Sequence, residues 1–157
     1  MCGIVGIYLK TKKLEKNLGK LLSGMLNNME SRGPDSAGFA IYKDEGKKVY
    51  KFSLCINDLN FNNFKKEISK KIKKAKFIQI SDHVILKTFE KPNKVIEIIN
   101  STFPKVSIVG YGRSIEIFKQ VGNPKDVVKK FKLDNFSGTH GIGHTRMATE
   151  SAITTDG

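Results

Sequence analysis

The sequence has 157 residues, 28 Lys and Arg against 15 Asp and Glu, a formal net charge of +13 and 39% hydrophobic residues. That length suits one domain with a real core, and the opening apolar run is too short for a membrane span and has no basic leader. Two cysteines make neither a disulfide framework nor a spaced metal motif, so cytoplasm is the expected compartment, with no membrane partner.

The apolar run Ile4, Val5, Gly6, Ile7, Tyr8 predicts a buried strand over 2–9, and so ties Cys2 to the core. Leu14, Leu18, Leu21, Leu22, Met25, Leu26 and Met29 recur at helical intervals, predicting an amphipathic helix over 13–30. SRGPDSAG reads as a turn, and FAIYK and KVYKFSL flanking DEG read as a β-hairpin over 38–54. Further on come a helix over 61–75, a strand over HVILKTF and a helix over NKVIEIINS. VSIVGYG and SIEIFKQ form a second hairpin candidate. Pro124 suits the first turn of a short helix over 124–131, and GTHGIGHTR supplies a last strand. Helices mixed with hairpins predict an α+β fold. SAITTDG closes the sequence without an element to finish on, which reads as a domain cut short.

The basic balance rests on lysine: only Arg32, Arg113 and Arg146 are arginines. Phosphate forks and base-edge readout favour arginine, so nucleic acid is a disfavoured partner. In KKEISKKIKKAK, residues 65–76, Ile68, Ile72 and Ala75 interrupt the lysines at helical spacing, which predicts a solvated basic face over an apolar stripe. The functional counter-reading is a basic, non-enzymatic binding module.

Cys2 has a chemistry available to few residues. With Met1 removed it carries a thiol and an α-amino group whose ordinary pKa is about 7.7–8.0. Nucleophile and base then sit on adjacent carbons and need little orienting. Considered by position alone, Cys2 is more simply a small buried residue. His140 and His144 lie four positions apart on one strand and face one side, without a third ligand of matching spacing. His83 reads as a strand residue and Cys55 as an inert core thiol, so no metal is expected. GTHGIG enters a strand and is not a dinucleotide fingerprint.

Taken together, CGIVGIY, SRGPDSAG and GIGHTRMAT resemble the class II glutamine amidotransferases, a branch of the N-terminal nucleophile hydrolases. The resemblance covers the two ends of the chain and implies that 1–157 is the N-terminal part of such a domain, with a helix-rich insertion at about 57–104. Met147, Glu150 and Ser151 in HTRMATES look most like the amidotransferase units of glutamate synthase and N-methylglutamate synthase type.

The family implies a four-layer αββα sandwich, here incomplete at its C-terminal side. It also implies a glutaminase reaction in which Cys2 attacks the side-chain amide of glutamine, releases ammonia and leaves a glutamyl thioester for water to hydrolyse. Arg146 would bind the substrate α-carboxylate and Thr149 would add a hydroxyl contact, while Arg32, Gly33 and Asp35 would position the site. Ammonia would pass to a synthase partner. No cofactor belongs to this chain, and any flavin or iron–sulfur cluster would sit on that partner. The sequence departs from the family in having no Asn-Gly dipeptide, the family's oxyanion element. The 157 residues alone are therefore expected to behave as a truncated, nearly inactive fragment.

Overall fold

In the computed structural model, which describes residues 2–43, 46 and 48–147, the predicted α+β class holds: eight strands form two sheets, with four α-helices among the described residues. The strands are β1 (Gly3–Tyr8), β2 (Ser36–Tyr42), β3 (Tyr50–Cys55), β4 (Lys76–Ile80), β5 (His83–Thr88), β6 (Ser107–Gly112), β7 (Ile115–Val121) and β8 (His140–Arg146). The helices are α1 (Leu18–Asn27), α2 (Phe61–Lys71), α3 (Pro92–Thr102) and α4 (Pro124–Phe131). The first sheet has the order β1-β8-β2-β7 and the second β4-β5-β3-β6. The chain divides into two compact units, Met1–Asp44 with Ile117–Gly157, and Glu45–Glu116.

Glycines set the depth of packing in the first unit. Strand β8 alternates Gly141, Gly143 and Thr145 toward one face, and a β-carbon on either glycine would lie 2.9 Å from a leucine methyl of α1, Leu22 or Leu26. Leu18, Leu22 and Leu26 are fully buried as a result. Gly19 sits so close to Leu133 O that no side chain fits there. Phe39, Phe118, Phe131 and Phe136 complete this core, with Phe39 and Phe118 stacked at 5.1 Å. At the start of α4, Pro124 occupies the first turn and the Asn123 side chain accepts from Asp126 N at 3.0 Å.

In the second unit the helices cover one face of the sheet. Phe52, Leu54, Val84 and Leu86 from the strands meet Phe64 and Ile68 of α2 and Val95 and Ile99 of α3. The lysines of α2 are exposed over the buried Phe64–Ile68–Ile72 stripe, so the basic run is a solvated helix face, as its periodicity predicts. The Asn60 side chain caps α2 by accepting from Asn63 N at 3.0 Å.

Three local expectations are corrected. The helix predicted over 13–30 is a 3-10 segment, Lys12–Asn17, followed by α1 and then a second 3-10 turn, Glu30–Arg32. The helix predicted to 75 stops at Lys71, and 76–80 is strand β4, joined to β5 by the two-residue turn Ser81–Asp82 with Ser81 at φ 56°. Neither predicted hairpin forms. Strand β2 lies between β8 and β7, while β3 lies between β5 and β6, so 38–54 and 106–120 each run from one sheet to the other.

No described helix is long and apolar enough to cross a membrane.

Candidate functional site

Three segments far apart in the sequence meet at one end of the first sheet. Strand β1 runs antiparallel to β8 in the register Gly3↔Thr145, Ile4↔His144, so Cys2, just ahead of β1, stands at the same end of the pair as Arg146, the last residue of β8. Period-two alternation puts Arg146 on the same face of β8 as His144. On its other side Arg146 pairs with Ser36 of β2. The turn that precedes β2 carries Arg32, Gly33 and Asp35 against the same place. Asp35 N donates to Arg146 O at 3.2 Å, and Gly122 N donates to Asp35 O at 2.9 Å.

Glycine is required twice by close approach. A β-carbon on Gly3 would fall 2.9 Å from Thr145 Oγ1 and 3.4 Å from Arg32 Cβ. One on Gly33 would fall 2.6 Å from Arg146 N and 2.7 Å from Thr145 Oγ1. Thr145 itself is fully buried, and its hydroxyl has no hydrogen-bond partner among the described residues. The turn is held from its other side by Glu30, whose carboxylate accepts from Lys125 Nζ at 2.6 Å. That hydrogen bond raises the Lys125 pKa above the ordinary lysine value.

Cys2 lies outside β1 and is an exposed, free thiol, so the opening apolar run does not tie it to the core as predicted. Arg146 is half-buried and borders a cavity of about 350 Å³ together with Ser36, Gly38, Lys119, Gln120 and His144. The rest of the lining is mostly apolar, with Phe39, Ile117 and Ile142, and does not include Cys2, while the Arg146 guanidinium at its edge suits an anionic group of a ligand. Of the residues predicted for the site, Arg32, Gly33, Asp35 and Arg146 are brought together, beside Gly3, which follows Cys2. Thr149, like Glu150 and Ser151, lies outside the described residues. His140 stacks on Tyr42 at 4.2 Å and its Nδ1 lies 2.9 Å from Thr139 Oγ1, so it serves packing.

Sequence reasoning missed two features. Thr145 had stood only as the middle of HTR, although its place beside two glycines makes it the buried floor of the turn. In the second unit Cys55, Asp82 and His83 converge, where the sequence had suggested an inert thiol and a plain strand residue. Their spacing carries no signal, because a strand pairing across 28 positions joins them.

No protein-family model matches the chain. Among curated proteins it is similar to the glutamine amidotransferase-like protein GlxB of Rhizobium meliloti strain 1021, at 44% identity over 160 residues, covering 100% of this chain and 53% of that protein. It is also similar to a provisionally named glutamine amidotransferase of Methanothermobacter thermautotrophicus strain Delta H, at 32% identity over 166 residues, covering 98% of this chain and 54% of that protein. The chain spans about half the length of the curated relatives it matches. Their names support a glutamine amidotransferase relationship.

Proposed function

We propose that this chain is the nucleophile-bearing part of a class II glutamine amidotransferase, with Cys2 as the nucleophile once Met1 is removed. The observation that carries the reading is that the Arg32–Asp35 turn and Arg146 meet at the end of the β1–β8 pair where Cys2 precedes β1. The names of the similar proteins point the same way.

In this reading Arg146 holds the α-carboxylate of glutamine through its guanidinium fork, and Thr149 adds a hydroxyl contact. The Cys2 sulfur attacks the side-chain amide carbon, and its proton passes to the α-amino group. Collapse of the tetrahedral intermediate breaks the C–N bond. The leaving nitrogen takes that proton and departs as ammonia, and a γ-glutamyl thioester stays on Cys2. Water adds to the thioester with the amine as base, giving glutamate and the free thiol.

Arg32, Gly33 and Asp35 act by fixing the backbone against which Arg146 rests. No Asn-Gly dipeptide, the family's oxyanion element, is present among these 157 residues. The fold that accompanies this chemistry is the four-layer αββα sandwich of N-terminal nucleophile hydrolases. Ammonia goes to a synthase subunit or domain of glutamate synthase type, which carries any flavin or iron–sulfur cluster.

The test is a glutaminase assay on the full-length protein with intact-mass analysis of its N-terminus. Active protein should begin at Cys2, and both Cys2→Ala and a form with one extra residue ahead of Cys2 should lose glutamine hydrolysis. Full activity in either variant refutes the proposal.

A further inference from the structure

We propose that Cys55, Asp82 and His83 form a binding site for a divalent transition cation of the zinc class, held within the 45–116 unit. One ligand atom from each of the three lies within 4.8 Å of the other two. The arrangement follows from the sheet. Cys55 of β3 and His83 of β5 are directly opposed in the antiparallel register, so their side chains share a face. Asp82 precedes His83 in the Ser81–Asp82 turn, and its Oδ1 lies 2.9 Å from His83 Nδ1. The two loops are tied by a backbone bond from Ile56 N to Asp82 O at 2.9 Å. The donors are therefore mounted on a braced frame.

Burial and donor chemistry favour a metal over a solvated cluster. Cys55 is 1% exposed and His83 0%, whereas the Asp82 side chain keeps 24% and can swing. Sulfur, nitrogen and carboxylate oxygen together select borderline to soft ions of the zinc type over magnesium or calcium. Contacts of about 2.0–2.3 Å set tetrahedral donors roughly 3.5 Å apart, so ion entry needs only small side-chain shifts, with the Asp82–His83 contact giving way to two bonds to the metal. The thiol, which now lies 3.2 Å from Asn57 Oδ1, would give up its proton to solvent on binding. Asp82 also borders a cavity of about 490 Å³ with Asn57, Asp58 and Lys105. That cavity supplies an entry path and room for a fourth ligand, either water or the Asp58 carboxylate.

The test titrates full-length protein with Co²⁺ and measures zinc content after incubation with Zn²⁺ and dialysis. One equivalent of zinc and a thiolate-to-cobalt charge-transfer band are expected. Cys55→Ser should abolish the band while Cys2→Ser leaves it intact, which separates this site from the exposed thiol. Asp82→Asn and His83→Gln should each weaken metal binding by about 10- to 100-fold, and Zn²⁺ should raise the melting temperature of the wild type but not of Cys55→Ser. A wild type that retains no zinc overturns the proposal, as does a cobalt band that survives Cys55→Ser.

Discussion

Gly33 lies so close to Arg146 that a β-carbon added to it would come within 2.6 Å of the Arg146 backbone nitrogen. The neighbouring atoms belong to backbone and to a buried hydroxyl, which cannot swing aside as a long side chain can. Gly33→Ala should therefore push the end of β8 away from the turn. A stability loss of about 1–3 kcal/mol in chemical denaturation is expected, with at least a tenfold fall in glutaminase activity of the full-length protein. Wild-type activity in a folded Gly33→Ala would mean that the turn does not position Arg146.

Gly24 is the matched control. It sits exposed within α1, where an added β-carbon meets nothing within 4 Å. There the backbone entropy of glycine is the only term in play. Gly24→Ala should raise stability by about 0.5–1 kcal/mol with activity unchanged. A destabilised Gly24→Ala would show that α1 is held differently along that side.

Arg146→Lys keeps the charge but loses the planar fork. If the fork holds the α-carboxylate of glutamine, the lost charge-assisted hydrogen bond of about 1.5–3 kcal/mol should raise KM about 10- to 150-fold. The fall in kcat should be smaller, because the fork binds ground state and transition state alike. Steady-state kinetics on the full-length protein would show this split, and an unchanged KM would remove Arg146 from the substrate.

The free amino terminus also sets a pH profile. The base must be neutral to take the thiol proton, so kcat/KM should rise with pH through about 7.7–8.0, the ordinary α-amino range. A profile flat across that range, measured on protein shown by mass to begin at Cys2, would assign the base elsewhere.

Lys51 and Glu116 offer a test of stability alone. Lys51 is fully buried, its Nζ lies 2.9 Å from Glu116 Oε1, and Lys87 Nζ approaches the same oxygen at 3.9 Å. Glu116→Ala leaves a buried ammonium without that carboxylate, so a loss of about 3–5 kcal/mol is expected. Lys51→Met combined with Glu116→Leu should cost far less, since an apolar pair of similar volume needs no desolvated charge. Equal losses in the two variants would point to packing and not charge.

Much of the local structure was legible because burial leaves a periodic trace. Phe64, Ile68 and Ile72 mark the inner stripe of α2, and the lysines between them its wet face. Pro92 and Pro124 mark the first turns of α3 and α4. The candidate site was legible as three blocks of residues, but not as a geometry. Nothing local says that Gly33 must be glycine because Arg146 N is its neighbour.

The amino-acid order by itself determined where most helices and strands lie and much of what they bury, although Ile4, Tyr8, Leu14 and Leu21 stay exposed, and that a cysteine stands behind the first methionine. Tertiary structure decided which strands pair. FAIYK and KVYKFSL have the look of a hairpin, yet β2 lies beside β8 and β3 beside β5. A strand's alternation records its buried face and carries no label for its partner. The same non-local choice set Gly3, next to Cys2, opposite Thr145, next to Arg146, and Cys55 opposite His83. Side-chain periodicity is a property of neighbours in the chain, whereas register is settled by the packing of the whole sheet.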